Sequence, residues 1–424
     1  MRENFLHHIW QFKKFSLHSL KSVNGEKIEI LNTGNPNFDA GPDFSFCKIC
    51  IDGILWTGNV EIHIKSSDWE KHNHSENSNY QNIILHVVYE YDKEILLLKQ
   101  KNIPTLELKN YISEEIINHY QSISCNHFRF IPCENLFSSY YQKDMPGFAE
   151  KLYLEKLEAK CEKIMELNRR LKGDWESVLA CTLAYSFGLK INAEIFEQLL
   201  LNLDYKIIRK ISQNPFSTEA LFFGQCDLLV ENQQDEYCSR LFKEYEYLKS
   251  KFNLEPFILK PKFLRLRPAN FPTLRLSQFA HLLSLYQNLF SYIIGVKKLK
   301  DYELLLEEVQ ASEYWENHYV FGKINQKKSK KKLSSSQKNL LILNTFLPVK
   351  FAYAQSIGKS MDEEIIEIIS QIPPEKNSVI ESFKDLSVKF CSALDSQAFL
   401  HLYKNYCAEK RCLQCPIGYK IVHE

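Results

Sequence analysis

Residues 41–90 decide the fold and read GPDFSFCKICIDGILWTGNVEIHIKSSDWEKHNHSENSNYQNIILHVVYE. Two apolar-rich runs, 44–51 and 54–65, are separated by Asp52-Gly53, a dipeptide typical of tight β-hairpins. A third run, 82–89, is almost continuously apolar, as expected of a strand that is covered on both faces. The stretch therefore predicts three neighbouring β-strands, and the short apolar runs 95–98 and 105–108 predict two more.

The second predicted strand alternates apolar and polar residues. Because side chains two positions apart share a face of a strand, one face is apolar and the other is polar. The apolar face holds Val60, Ile62 and Ile64, and the polar face holds Glu61, His63 and Lys65. Asp43 lies in a Gly-Pro-Asp turn at the start of the hairpin, where it can approach Glu61.

Two converging carboxylates suit a hard divalent cation, because Mg²⁺ and Mn²⁺ prefer oxygen ligands. Such an ion activates water and stabilises charge that develops on phosphate. Asp43 and Glu61 are therefore predicted metal ligands, with His63 or Lys65 beside them as a catalytic group. Glu3 could add a further acid, although an acid at a helix start also serves as a partner of the helix dipole.

This arrangement resembles the PD-(D/E)XK nuclease superfamily over roughly the first hundred residues. The resemblance rests on Asp43 in its Gly-Pro-Asp turn, the hairpin, and Glu61 on the next strand. It implies a restriction-endonuclease-like mixed sheet, a Mg²⁺ or Mn²⁺ ion, and a nucleic acid substrate. The superfamily normally has a lysine two residues after the second acid, where this chain has His63, and Lys65 lies four residues after it.

Further acids and histidines follow the second strand. Asp68, His72, His74 and His86 could surround the acid pair as a second layer. Alternatively, a separate zinc site could use His63, His72, His74 or His86. A polar surface turn and one hydrogen-bonded core histidine would give the same pattern.

Longer segments resemble a bacterial family of unknown function, numbered 2851, over most of the chain. They include FLHHIW at 5–10, NFDAGPDF at 37–44, NVEIH at 59–63, ILHVV at 84–88 and RPANFPTLRLSQ at 267–278. The resemblance implies membership of that family but no established activity.

The 424-residue chain carries 53 basic and 52 acidic residues, for a formal net charge of +1. The balance excludes a whole-molecule attraction to nucleic acid, so binding would need a local basic patch. No apolar run reaches the roughly 18 residues of a membrane span, and the N-terminal residues do not resemble a secretory signal. We expect a cytoplasmic, reduced protein without membrane contact.

After about residue 113, apolar residues recur at three- and four-residue spacing, which predicts helices. The predicted fold is an α+β N-terminal domain with a mixed sheet, followed by a mainly α-helical region. The predicted segments are a nuclease-like core at 1–112, a helical domain at 113–322, a basic loop or linker at 323–337, and C-terminal helices with a cysteine cluster at 338–424.

A proline-rich turn at 263–278 brings three arginines together. Arginine forks bind phosphate well, so the predicted phosphate contacts are Arg265, Arg267, Asn270 and Arg275. A loop tethered to acids elsewhere in the fold is the alternative. The basic run KINQKKSKKKLSSSQ at 323–337 could add affinity for nucleic acid or form a solvated loop.

The chain ends with Cys407, Cys412 and Cys415 in a Cys-x4-Cys-x2-Cys pattern. Clustered thiols in a reduced protein suggest zinc or an iron–sulfur cluster, which some nucleases of the resembled superfamily contain. Three ordinary cysteines at a turn would look the same. Candidates for a fourth ligand are Cys125, Cys133, Cys391 and His401.

Three functions fit these patterns. The leading hypothesis is a metal-dependent nuclease that uses Asp43, Glu61 and either His63 or Lys65. The departure at His63 motivates a second, a non-catalytic protein that binds nucleic acid or acts as a scaffold on a degenerate nuclease fold. The histidines motivate a third, a zinc hydrolase.

Overall fold

The computed structural model describes residues 3–37, 41–72, 80–124, 129–141, 145, 147–230, 235–255 and 260–423. A mixed β-sheet lies in the N-terminal part, and the rest is mainly helical. The predicted α+β domain followed by a helical region is confirmed at this level. The chain divides into two compact units: a first of Met1–Met145, Glu381–Val388 and Leu402–Glu424, and a second of Pro146–Ile380 and Lys389–His401.

The sheet of the first unit has six strands in the order β1-β3-β4-β5-β6, with β2 paired to β3. The β1–β3, β2–β3 and β3–β4 pairs are antiparallel, whereas β4–β5 and β5–β6 are parallel. Asp52 and Gly53 both have positive φ, of 46° and 84°, as a two-residue type I′ hairpin requires. The strands are β1 Ile28–Asn32, β2 Asn35–Pro36, β3 Phe44–Ile51, β4 Ile54–Lys65, β5 Ile83–Glu90 and β6 Thr105–Glu107.

The first helix covers one face of this sheet. It runs from Glu3 to Gln11, and Phe5 and Ile9 on it are fully buried with Val60 of β4. The leucine-rich run 95–98, for which the sequence suggests a strand, instead belongs to a short helix, because leucine favours helix and only Leu98 of that helix is buried. The helices that begin in the first 145 residues are α1 Glu3–Gln11, α2 Asp68–Lys71, α3 Leu96–Gln100, α4 Glu114–Ser124 and α5 Glu134–Tyr140.

The second unit is a helical domain with one large apolar core. The sequence suggests Asp174 and Asn192 as helix caps. Asp174 is one, because its side chain accepts hydrogen bonds from the N–H groups of Glu176 and Ser177. Asn192 is not, because it lies inside the helix Leu189–Leu201. The helices that begin after residue 145 are α6 Phe148–Arg170, α7 Trp175–Phe187, α8 Leu189–Leu201, α9 Tyr205–Ile211, α10 Pro215–Gln225, α11 Glu236–Phe252, α12 Pro272–Leu285, α13 Leu289–Gly295, α14 Leu299–Glu307, α15 Ser335–Leu341, α16 Leu347–Ser356, α17 Asp362–Gln371, α18 Ser378–Asp385, α19 Ala393–Leu402 and α20 Pro416–His423. Of these, α20 and most of α18 belong to the first unit. Short 3₁₀ turns lie at Pro268–Asn270, Glu313–Glu316 and Cys412–Gln414, and π-helical turns lie at Ile342–Phe346 and Tyr403–Cys407.

The basic run 323–337 is an irregular segment that leads into α15. Lys328 pairs with Glu313 and Glu316 at 3.8 and 3.5 Å, and Lys332 pairs with Glu308 at 3.4 Å. Part of its positive charge is therefore compensated by acids of its own unit. Among the described residues, no helix is both long and apolar enough to cross a membrane.

Candidate active site

A β-bulge at the start of β3 positions the first acid. Phe44 pairs with Val60 and Cys47 pairs with Gly58, so β3 uses one more residue than β4 between these pairs. Phe46 has a φ of 58° and is 71% exposed, which marks the position where the ladder is interrupted. Bulges of this kind occur often beside functional sites because they change the direction of a neighbouring side chain.

The bulge decides which face of the sheet Asp43 joins. Continuing the ladder from the Phe44–Val60 pair puts Asp43 opposite Glu61, and residues directly opposite on antiparallel strands share a face. Without the extra residue, Asp43 would lie opposite Ile62, which points to the other face. One inserted residue therefore brings the two acids together.

Two backbone hydrogen bonds hold Asp43 beside Glu61 and Ile62 of β4. The Asp43 N–H donates to Glu61 Oε2 at 3.1 Å, and the Ile62 N–H donates to Asp43 Oδ2 at 2.9 Å. Glu61 is buried, whereas the Asp43 side chain is 21% exposed, so solvent reaches the pair from the Asp43 side. A carboxylate has about four acceptor positions, and these two bonds occupy one on each group. Such a pair provides the oxygen ligands that Mg²⁺ and Mn²⁺ prefer.

Two buried imidazoles continue inward from Glu61. His63 Nε2 lies 3.6 Å from Glu61 Oε1, and His63 Nδ1 lies 2.9 Å from Nε2 of His86 on β5. Trp69 of α2 packs against both rings with edge-to-face geometry. One nitrogen of the His63–His86 contact must donate and the other accept, so the contact holds a single proton. The arrangement is a continuous chain of titratable groups from Glu61 into the protein.

Helix α1 adds two more titratable groups. Glu3 and His7 lie four residues apart and so share one helix face. His7 Nε2 lies 3.3 Å from Asp43 Oδ2. Burial alone would lower the pKa of His7, but contact with Asp43 and the charges of nearby acids raise it overall. Burial raises the pKa of Glu3, although the nearby His72 opposes this.

A second set of possible metal ligands lies beside the acid pair. Ligand atoms of Glu3, His63 and His72 all lie within 4.8 Å of one another. Two imidazoles with one carboxylate are a common ligand set of catalytic zinc. The site therefore offers carboxylate oxygens for a hard cation and imidazoles for zinc.

The structure distributes the other predicted residues around this centre. Lys65 is exposed at the end of β4, and within the described residues its ammonium forms no ion pair with Asp43 or Glu61. Asp68 orders the turn into α2 by accepting from the Lys65 N–H at 3.0 Å and pairing with Lys71 at 2.5 Å. His74 lies outside the described residues.

The predicted phosphate contacts lie in the second unit and differ in exposure. Arg265 and Arg267 are exposed. Arg275 is buried, and its guanidinium donates to Gln278 Oε1 at 2.9 Å and to Asn270 Oδ1 at 2.5 Å. Burial lowers the pKa of Arg275 to about 10. Both Nη atoms of Arg275 and Oδ1 of Asn270 thus serve contacts inside the protein, whereas Nε of Arg275 is buried and has no hydrogen-bond partner among the described residues.

His7 and Tyr80 also lie at the site, although neither is among the residues predicted from the sequence. The pKa of Tyr80 is raised to about 12 by burial and then by the charges of Glu61 and Asp43, so its phenol lies near both acids and keeps its proton. The spacing of Glu3 and His7 on one helix was the available signal for His7. Tyr80 had none, because no motif or spacing in the sequence relates it to the acids.

Comparison with models of protein families identifies the family of this chain. The family described as "Protein of unknown function (DUF2851)" has a model that matches residues 3–378. The chain belongs to this family. The matched range includes Glu3, Asp43, Glu61 and the arginine-containing segment 263–278, and it ends before the C-terminal cysteines. No curated protein and no solved structure matches the chain.

Proposed function

We propose that this protein is a metal-dependent hydrolase of phosphodiester bonds in nucleic acid, with Asp43 and Glu61 as ligands of Mg²⁺ or Mn²⁺. The observation that carries the proposal is that two backbone hydrogen bonds hold Asp43 beside Glu61 on one face of a mixed sheet. The Gly-Pro-Asp turn followed by Glu61-Ile62-His63 supports a restriction-endonuclease-like site. Oxygen donors that are partly open to solvent fit a hard cation that keeps water ligands.

Each side chain of the site would have a separate task. The bound cation would make water more acidic and stabilise negative charge on the phosphate. His63 stands where the resembled superfamily has lysine, and its contact with Glu61 would orient that carboxylate. His7 lies on the more exposed side and would exchange a proton with solvent. Lys65 would attract phosphate as an exposed ammonium.

Binding of a long polyanion would need more contacts than this centre provides. Arg265 and Arg267 are exposed and can present bidentate donors to phosphate oxygens. We include them in the proposal as phosphate contacts within their own unit. Replacing either should weaken binding of all sequences equally and reduce its dependence on salt.

A cleavage assay tests the proposal. Labelled single- and double-stranded DNA and RNA are incubated with the full chain and Mg²⁺ or Mn²⁺. Asp43→Asn and Glu61→Gln should each lower the cleavage rate at least about 100-fold, a barrier increase of about 2.7 kcal/mol, because each removes a charged ligand. Glu70→Gln is the matched control, since Glu70 is an exposed acid that pairs with Lys93.

The outcome can also reject the proposal. If well-folded wild type cleaves none of the four substrates with either ion, phosphodiester hydrolysis at this site is wrong. Tight binding without cleavage would favour the non-catalytic alternative. Equal activity of Glu61→Gln and Glu70→Gln would locate any cleavage elsewhere.

A second function is favoured by the Glu3, His63 and His72 group, which suits zinc. A zinc hydrolase would copurify with zinc in this unit and would lose it in His72→Ala and Glu3→Gln. It would be reactivated by Zn²⁺ in preference to Mg²⁺. Activity that survives both substitutions and requires Mg²⁺ would exclude this second function.

A further inference from the structure

The C-terminal cysteines lie on a compact series of turns in the first unit. Cys407 ends a π-helical turn, and Cys412 begins a 3₁₀ turn that Cys415 directly follows. A 3₁₀ turn has about three residues per turn, so side chains at positions i and i+3 lie one above the other. The Cys415 N–H donates to the Cys412 carbonyl at 3.1 Å, which holds these two residues in that register.

Cys133 joins this group from a distant part of the chain. It precedes α5 and is 7% exposed. Its pKa is raised to about 12, first by burial and then by the charges of Cys415 and Cys412. Burial also raises the pKa of Cys407, followed by the charges of the other three thiols. All four thiols therefore lie near enough for their charges to interact, although no three of these four sulfur atoms lie within 4.8 Å of one another.

A buried cysteine of the second unit shows that this clustering is not a general result of burial. Cys226 is fully buried in the apolar core, and burial alone raises its pKa. No charged neighbour contributes to its shift within the described residues. Cys226 is the ordinary apolar cysteine that the sequence pattern could not distinguish from a ligand.

The backbone around Cys412 is shaped for close packing. Gly418 on α20 approaches so closely that a Cβ atom there would lie 2.0 Å from the Cys412 carbonyl oxygen. Only glycine allows this approach, and α20 also packs against α4 and α5. The turn that carries Cys412 and Cys415 is thus held beside the segment that carries Cys133.

Four neighbouring thiols without a cation would remain protonated, because burial and mutual repulsion both disfavour thiolates. A thiophilic metal reverses this preference by compensating the charge, and its binding releases the thiol protons. We propose that Cys133, Cys407, Cys412 and Cys415 hold a four-thiolate metal centre, either a zinc ion or an iron–sulfur cluster. A zinc ion with four thiolate ligands has no open position, as in structural zinc sites, and four thiolates also hold iron–sulfur clusters. In either case the centre has at least a structural role. It fastens the C-terminal segment to residues 129–141.

Metal analysis of the full chain tests this inference. The protein is purified without chelators, both in air and anaerobically, and zinc, iron and acid-labile sulfide are measured. We expect either about one zinc per chain or iron with matching sulfide and visible absorption. Cys133→Ser and Cys412→Ser should each lower that metal content at least about tenfold, because a serine hydroxyl does not replace a thiolate ligand. Cys391→Ser is the matched control, because Cys391 is an exposed cysteine of the second unit.

A measurement on wild type keeps the test decisive if the serine variants do not fold. Stepwise modification of thiols with an organomercurial should release the metal, or bleach the cluster, as the four thiols react. Absence of metal from both preparations would overturn the inference. Retention of metal by folded Cys133→Ser would show that Cys133 is not a ligand.

Discussion

Glu61 in the first unit and Glu219 in the second are both buried, yet their surroundings differ. Glu219 accepts hydrogen bonds from Trp315 Nε1 at 2.6 Å, Ser277 Oγ at 3.1 Å and Ser312 Oγ at 3.3 Å. Within the described residues these partners are neutral donors. Glu61 instead lies beside a second acid and an imidazole.

The difference separates a carboxylate with structural partners from one that we propose as a metal ligand. Around Glu219, neutral donors join α10, α12 and the 3₁₀ turn at Glu313–Glu316, so the carboxylate holds parts of a core together. Around Glu61, the neighbouring Asp43 carboxylate adds negative charge that a bound cation would compensate. Burial of a charged group is thus no sign of function until its partners are known.

The strongest test of this contrast removes the structural glutamate. Glu219→Ala should destabilise the second unit by about 3–5 kcal/mol at pH 6, because several buried donors lose their acceptor. Glu61→Gln should change stability by less than about 1 kcal/mol, since the amide oxygen can still accept from the Asp43 N–H. Urea unfolding of the full chain measures both. Equal losses would remove the proposed distinction.

Two arginines of the segment 263–278 provide a similar contrast between a side chain with structural partners, Arg275, and an exposed one, Arg267. Arg275→Ala should cost about 2–3 kcal/mol, because it empties a buried position and leaves Gln278 and Asn270 without their donor. Arg267→Ala should stay within about 0.5 kcal/mol, as expected of an exposed side chain. The same urea unfolding experiment compares them. A large loss in Arg267→Ala would show that this side chain has a structural role.

Stability should also depend on pH through Glu219. Burial outweighs its hydrogen bonds and raises the pKa of Glu219 to about 7 from an ordinary 4.5. Because the folded state binds the proton more tightly, the stabilising contribution is complete below about pH 4.5 and is lost as the pH rises through about 7. Over that window we expect a loss of about 1–3 kcal/mol.

Glu219→Gln should flatten this profile, whereas Glu236→Gln, at an exposed position, should leave it unchanged. Unfolding free energies at pH 5, 6, 7 and 8 provide the comparison. An identical slope in wild type and Glu219→Gln would assign the pH dependence to other groups.

The smallest predicted effect concerns the acid pair. At a Mn²⁺ concentration ten times its dissociation constant, wild type should gain about 1.4 kcal/mol of stability. Asp43→Asn and Glu61→Gln should show no gain in the same thermal unfolding experiment, because each lacks a charged ligand. A gain that persists in both variants would place the ion at another site.

Much of the fold followed from local patterns. The hairpin at Asp52-Gly53 and the bounds of β3 and β4 are as predicted, because turn chemistry and two-residue periodicity are local properties. The leucines at 96–98 misled the prediction, since a short apolar run does not distinguish a strand from a helix. Membership of the family was also evident from sequence segments, and the match over residues 3–378 confirms it.

By itself, the sequence determined that Asp43, Glu61 and His63 are candidates, and that three thiols lie near the C-terminus. Only the tertiary structure decided that a bulge at Phe46 turns Asp43 towards Glu61. It also decided that His7 contacts Asp43, that Cys133 lies near the C-terminal thiols, and that Arg275 is buried. These facts depend on strand register and on packing between distant segments, which residue spacing along the chain does not encode.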